Sequence, residues 1–418
     1  MSLSNPNPQI IGIARRAVSL PSMAAPELNP SLLPSAVIPG LYVHIPFCFH
    51  KCHYCDFYSI TRQTPERMGR FVDLILREAD VWTHSGPTLR PRTVFFGGGT
   101  PTLLPAGEMQ RLIFGLRERF DFSGCGEWTV EANPATVSPE YCRMLVDGGV
   151  DRISMGAQSF DSAELSILER HHQPDDVPRS LEIVRSAGIR RVNLDLIYAI
   201  PGQTLEGWMQ SLERAIGLGT DHLSCYGLTY EPNTPLAVRR RLGLVKSIDP
   251  ELEIEMLRAT RRRLAEAGLQ SYEISNYCRP GQECRHNLLY WQGGDYLGLG
   301  PAAASHVQGW RWRNRPHLDE WEKSLGRGQL PAIEIETLSG RQRAGELAML
   351  MLRLSKGIVH AEFAARVGHS ASALFAEVID RLSPLGLLDV SETSIRLSER
   401  GLPVADSVAA EFLAAASV

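Results

Sequence analysis

From Gly40 to about Leu228, short β-rich runs alternate with stretches of helical apolar spacing. LYVHI (Leu41–Ile45), Thr93–Phe96, Glu127–Glu131, Arg152–Gly156, Arg191–Tyr198 and His222–Leu228 read as six strands. Thr64-Pro65 has the form of an N-cap and first helical residue. Phe71, Leu74, Ile75 and Glu78 follow at helical spacing, apolar on one face. Further helices are expected near Gly107–Phe120, after Ser138-Pro139, on either side of His171-His172, and from PGQT through Ala215. Strands alternating with helices predict a parallel sheet of βαβ units. Right-handed crossovers curl such a series into a full or partial barrel. The predicted class is therefore α/β, a partial (β/α)6 barrel.

After about Pro232 the alternation stops. Asp249–Ala267 predicts a charged amphipathic helix, and Tyr272–His306 is dense in aromatics and glycine. Residues 338–418 are mainly helical, and two helical stretches (His360–Val367 and Ala371–Leu385) precede LLDV and SIRLS, a hairpin pattern. That order predicts a winged-helix-like C-terminal domain. The expected divisions are an N-terminal extension (1–39), the barrel (40–232), a barrel extension (233–335) and the C-terminal domain (336–418). Residues 1–39 are rich in Ser, Pro, Asn and Ala, with Arg15 and Arg16 and a single acidic residue, Glu27. They are expected to be disordered, with an organellar transit peptide as the alternative; IIGIA is too short for a secretory signal and precedes the arginines.

Composition narrows the class. Apolar content of 44% and charged content of 22% are those of an ordinary globular chain, and no apolar run approaches the ~18 residues a membrane span needs. The formal charge is −4 overall, and residues 335–418 hold 8 Lys/Arg against 10 Asp/Glu. A winged helix suggests DNA binding, but this charge argues against it, and no nucleic acid partner is expected. Eight cysteines are too sparse for a disulfide scaffold, so a reducing, cytoplasmic setting is expected.

Chemistry gathers after the strands. Cys48, Cys52 and Cys55 form C-x3-C-x2-C just after the first strand. Two readings stand for such a trio: a four-iron cluster with one open iron, or zinc completed by His50 or His53. No second cysteine pair is evident, which favours iron–sulfur. Gly97-Gly98-Gly99-Thr100 follows the second strand, where glycines admit a ligand to the backbone, although a tight turn is the plainer reading. Glu131, Gln158, Arg170 and Asp195 add hydrogen-bonding groups on the same rim. Cys284 and His286 lie in a second aromatic-rich segment; the other cysteines read as buried or incidental thiols.

The cysteine pattern resembles the radical S-adenosylmethionine (radical SAM) superfamily. YVHIPFC, FFGGGTPTLL, EANP, RISMGAQSFD, NLDLIYAIPGQT and HNLLYW are similar to the branch containing the oxygen-independent coproporphyrinogen III oxidases and the haem chaperones related to them. The resemblance covers roughly residues 40–418. It implies that Cys48, Cys52 and Cys55 hold a [4Fe–4S] cluster. It further implies that Tyr42, Tyr54, Gly98, Gly99, Thr100, Glu131, Gln158, Arg170 and Asp195 line a SAM site. His286, in HNLLYW, would touch haem. The oxidases continue their motif with a fourth cysteine; here that place is Phe57. The departure points to the chaperones, which pass haem to haem-requiring membrane enzymes, and leaves porphyrinogen decarboxylation as the alternative. A flavodoxin or ferredoxin as electron donor and a homodimer are further expectations of the resemblance. No catalytic residue is assigned.

Overall fold

The computed structural model describes residues 28–84, 86–338 and 340–416. Strands β1 (Val37–Ile45), β2 (Thr88–Gly98), β3 (Glu127–Ala132), β4 (Arg152–Gln158), β5 (Arg191–Tyr198) and β6 (His222–Gly227) lie in chain order, each parallel to the next. Helices α1 (Pro65–His84), α2 (Ala106–Arg119), α3 (Pro139–Gly148), α4 (Ser162–Ile167), α5 (Asp176–Ser186) and α6 (Leu205–Gly217) fill the crossovers. The helix-start signals act as their chemistry predicts. Thr64 Oγ1 accepts from the Arg67 N–H at 3.3 Å, and Ser138 Oγ accepts from the Tyr141 N–H at 3.2 Å.

The sheet is wider than six strands. Past β6 come α7 (Pro235–Arg241), α8 (Pro250–Glu266), β7 (Gln270–Ser271), β8 (Asn276–Cys278) and α9 (Arg285–Trp291). β8 pairs antiparallel with β6. The chain then crosses to the far edge, where β9 (Tyr296–Leu299) pairs in parallel with β1. Antiparallel β10 (Ala304–Val307), β11 (Trp310–Asn314) and, after α10 (Leu318–Gly326), β12 (Ala332–Thr337) continue that edge. The barrel therefore stays open, with added strands beyond β1 on one edge and beyond β6 on the other of a twelve-stranded sheet.

The C-terminal region has its own apolar cluster. It comprises α11 (Gly340–Met351), β13 (Ile358–Val359), α12 (His360–Val367), α13 (Ala371–Leu374), α14 (Ala376–Leu382), β14 (Leu388–Val390), β15 (Ser394–Leu397) and α15 (Ala405–Ala415). β14 and β15 form the expected hairpin, and β13 adds a third strand to it. The single helix expected over Ala371–Leu385 is broken at Phe375, whose backbone turns to φ −118°, ψ 25°. Its buried ring packs against Phe363 and Phe412 at 6.1 and 5.1 Å, so tertiary packing overrides helix propensity there. The extension expected over residues 1–39 also differs. Leu28 and Leu33 are buried in the barrel core, and β1 begins at Val37. Residues 1–27 lie outside the described residues.

The helix-facing side of the strands is apolar, as in Val192, Leu194 and Leu196 of β5. The alternate positions are polar and bond one another. Asn193 Nδ2 lies 2.7, 2.8 and 2.9 Å from Ser154 Oγ, Asp195 Oδ1 and Ser224 Oγ. Asn193 Oδ1 and His222 Nδ1 are 2.7 Å apart. Below them Arg152 donates to Glu127 at 3.1 Å and to the carbonyls of Gln282 and Glu283, with both charged side chains at most 2% exposed. Buried polar groups hold only when partnered in this way.

Glu78 ties α1 to the added edge. It accepts from the Gly300 N–H (2.8 Å), Asn314 Nδ2 (2.6 Å) and Trp321 Nε1 (3.1 Å). Burial raises its carboxyl to about 8 against these three donors, which lower it. Glu78→Gln keeps the shape but turns a donor toward donors. We expect a loss of about 1–3 kcal/mol, checked by denaturant unfolding at neutral pH.

Candidate functional site

The loop after β1 is closed at its base. Cys48 N–H donates to the Ile60 carbonyl (3.0 Å), and Ile60 N–H donates to the Pro46 carbonyl (2.8 Å). Phe47 anchors it, fully buried with its ring edge-on to Phe71 at 5.1 Å. Cys55 N–H donates to the Cys52 carbonyl at 3.1 Å, and Leu236 N–H, at the start of α7, reaches the His53 carbonyl at 2.9 Å. All three cysteines are free and half-buried on this held loop. Phe57 points outward, 66% exposed.

The other rim elements converge on it. Cys48 Sγ lies 3.8 Å from Thr100 Oγ1, and Arg170 Nη1 lies 3.7 Å from Cys52 Sγ. Arg170 Nη2 donates to the Gly156 carbonyl at 2.6 Å, which fixes the guanidinium over the end of β4. Gln158 adopts φ 63°, a left-handed backbone rare for its type. Its amide folds back over Gly156, where a Cβ would meet Gln158 Nε2 at 2.7 Å and Arg170 Nη2 at 3.2 Å. Such local strain recurs where a chain aims a functional group.

Two carboxylates stand across from Arg170. Asp195 accepts from Ser154 Oγ (3.0 Å) and Asn193 Nδ2 (2.8 Å), and Glu131 Oε2 accepts from the Gly98 N–H (3.1 Å). Burial, then the Asp195 charge, raises Glu131 to about 8. Burial raises Asp195 too, opposed by its hydroxyl and amide donors and by Arg170. Tyr42, whose hydroxyl lies 3.0 Å from His44 Nδ1, feels the Glu131 charge. Tyr54 sits among Arg170, Cys52, Cys55 and Asp195, with its phenol pushed up by burial. The nine expected rim residues and the three cysteines thus gather at one end of the barrel.

The glycine run works differently from its expected role. The Gly99 and Thr100 amides donate to the carbonyls of Ile45 (2.8 Å) and Phe47 (2.7 Å), and the Gly98 amide is held by Glu131. These N–H groups are consumed inside the protein. Gly98, at φ 106°, is required because a Cβ would strike the His44 ring at 2.5 Å. The run lets β2 press against β1 and so sets the rim.

His50 and His53 both face Glu169, at 3.6 and 3.7 Å. No three His, Cys, Asp or Glu side chains among the described residues converge as a single-ion site. A multi-iron cluster spreads its ligands instead, one per iron. Buried polar atoms without a hydrogen bond ring these thiols, Gln63 Oε1 and Arg170 Nε among them. Three free thiols inside such a ring fit a thiolate-held cluster with a polar ligand beside it.

His286 does not present a nitrogen to any ligand. Its ring is 0% exposed, with Nδ1 2.9 Å from Thr93 Oγ1 and Nε2 2.8 Å from Tyr290 Oη. It stacks on Phe95 at 5.4 Å, and burial lowers its pKa to about 3. Within the fold His286 is a neutral histidine bonded at both ring nitrogens. Cys284 is likewise structural, its thiol 3.5 Å from Glu127 Oε1 and pushed up to about 12 by burial.

With this geometry in place, comparison with known proteins is direct. A model of the Radical SAM superfamily matches residues 42–215, and one of the HemN C-terminal domain matches residues 338–404. A Mycobacterium tuberculosis protein named heme chaperone HemW is 34% identical over 395 residues, covering 93% of this chain and 98% of the relative. The chain belongs to the HemW family. The Escherichia coli K12 protein of that name is 39% identical over 268 residues, 64% of this chain and 70% of its own. Mouse radical S-adenosyl methionine domain-containing protein 1, mitochondrial, is 31% identical over 412 residues, 95% of this chain and 92% of its own. The structure of E. coli coproporphyrinogen III oxidase (HemN) superposes with a TM-score of 0.78 over 90% of each chain at 23% identity, a likeness of fold.

Sequence reasoning missed the polar groups beneath the rim: Glu127, Arg152, Ser154, Asn193, His222 and Ser224. The signal is polar residues at every second position of strands whose other positions are apolar, as in Glu127-Thr129-Glu131 and Asn193-Asp195. Cys52→Ala tests whether the three thiols hold a cluster. We expect iron and sulfide per chain to fall to less than about half of the wild type after anaerobic reconstitution, because one iron then lacks its thiolate.

Proposed function

We propose that this protein is a haem chaperone that carries a SAM-coordinating [4Fe–4S] cluster and passes haem to acceptor proteins, membrane respiratory enzymes among them. The observation that carries the reading is Phe57. The cysteine loop ends without a fourth cysteine, and a large exposed apolar ring stands there instead. The family relationship across nearly the whole length of a relative named heme chaperone supports the same conclusion.

In this reading Cys48, Cys52 and Cys55 hold the cluster, and SAM occupies the open iron. Bound together, the two supply one-electron radical chemistry. Arg170, 3.7 Å from Cys52 Sγ, offsets thiolate charge. Glu131 and Asp195 face the cationic parts of SAM, with Tyr42, Tyr54, Gly98, Gly99, Thr100 and Gln158 shaping the pocket. A flavodoxin or ferredoxin as donor, and a homodimer, belong to the same proposal.

The linkage has a definite sign. Glu131 is protonated below about pH 8 in the free protein. A cation beside it favours the carboxylate, so SAM affinity should rise with pH up to about 8 and then level. Glu131→Gln should flatten that profile in calorimetric titration of the reconstituted protein. An unchanged slope removes Glu131 from the site.

The second reading, oxidative decarboxylation of coproporphyrinogen III, has the overall fold in its favour. Under anaerobic conditions with SAM and a reductant, we expect stoichiometric haem binding and little protoporphyrinogen IX. Sustained product formation over many turnovers would defeat the chaperone reading.

A further inference from the structure

α7 is bound directly to the cysteine loop. Thr234 caps it, accepting from the Ala237 N–H at 3.3 Å. Leu236, fully buried, gives its N–H to the His53 carbonyl at 2.9 Å. The Arg240 guanidinium lies over the Tyr230 ring, 4.4 Å from its centroid. His53 stands between Cys52 and Cys55, so these contacts fix the helix beside the thiols.

Its charge is at odds with the rest of the chain. From Pro232 to Ile248 there is no acidic residue, while Arg239, Arg240, Arg241 and Lys246 carry positive charge on a chain whose formal charge is −4. None of the four forms an ion pair among the described residues. Elsewhere Arg214 and Arg381 each hold a carboxylate. Cations gathered without counter-charges raise the local potential and attract an acidic surface.

Apolar side chains are exposed at the same place. The Gly243 N–H donates to the Arg240 carbonyl (3.0 Å) and the Leu244 N–H to the Arg239 carbonyl (2.9 Å), with Gly243 at φ 71°. That closed turn presents Leu242 and Leu244, 65% and 68% exposed, and Phe49 in the cysteine loop is 74% exposed. Single exposed apolar side chains are ordinary, whereas several beside one charged element mark an interaction surface.

We propose that α7 and the turn after it, beside the cysteine loop, form the docking face for an acidic one-electron carrier protein. The unpaired cations steer the encounter, and the leucines give the small apolar contact that a transient redox complex uses. One electron passes from the carrier, which is oxidised, to the cluster, which is reduced, and no bond forms or breaks. The proposal rests on the cluster-bearing reading of the cysteine loop and adds to it a place and a charge for the donor. Contact of α7 with the loop favours such a carrier over a lipid surface, which would need no thiols nearby.

Flavodoxin, an acidic one-electron carrier, tests the face on full-length reconstituted protein. The double variant Arg239→Glu/Arg241→Glu breaks no side-chain bond. Calorimetric titration with oxidised flavodoxin at low salt should show affinity about tenfold weaker than wild type, with the difference shrinking at high salt. Reduction of the cluster by flavodoxin hydroquinone should slow by a similar factor, while reduction by dithionite, which needs no docking, stays within about twofold. Leu242→Ser/Leu244→Ser should weaken flavodoxin at both salt concentrations. If both variants keep wild-type flavodoxin affinity and rate, the face lies elsewhere and the cluster reading stands. Loss of binding to phosphatidylglycerol vesicles with flavodoxin affinity retained would assign the patch to a lipid surface and overturn the proposal. If dithionite reduces no cluster in the wild type, the cluster reading falls as well.

Discussion

Everything at the rim depends on how the barrel interior satisfies its polar groups. Glu127 and Arg152 form a fully buried ion pair, and Arg152 Nη2 also donates to the backbone carbonyls of Gln282 and Glu283. Above them Asn193 gathers Ser154, Ser224, His222 and Asp195 into one network. An isolated charge or amide there would cost several kcal/mol. Bonded together, these groups fix the heights and directions of the side chains that follow them on each strand. Asp195 is the topmost member of the network and the first member of the rim.

The same logic extends to the cysteine loop. Its ends are clamped by backbone bonds between Pro46, Cys48 and Ile60, and Phe47 fills the core below. The loop thereby holds three thiols without using them as packing. Arg170 lies beside Cys52, and its charge acts on Asp195. Burial, with the Asp195 charge added to it, is why Glu131 sits near 8. A pocket with this polarity suits a ligand bearing both a carboxylate and cationic groups.

Aromatic rings join the rim to the added strands beside β1. Ring centroids run from Tyr42 to Phe95 (6.4 Å), His286 (5.4 Å), Tyr290 (4.8 Å), Tyr296 (4.5 Å) and His306 (6.4 Å). His286 stands mid-chain, bonded on both sides, and its work is to hold this aromatic column together. The pairing of β9 with β1 makes the column possible, since it sets Tyr296 beside Gly40 and its neighbours.

Much of this was legible in the chain itself. Apolar period and helix-start chemistry fix the six barrel strands and their helices, because both signals are local. The cysteine spacing and the polar residue closing each strand mark one rim, because parallel strands put their carboxyl ends together. Other features required the folded chain. The pairing of β9 with β1 joins segments some 250 residues apart, and no periodicity encodes such a contact. The break at Phe375 follows from packing against Phe363 and Phe412. His286 reads as a ligand in sequence, and only Thr93 and Tyr290, brought in from elsewhere, occupy its nitrogens. Residue type is a local property, whereas a free lone pair depends on every neighbour that tertiary structure supplies.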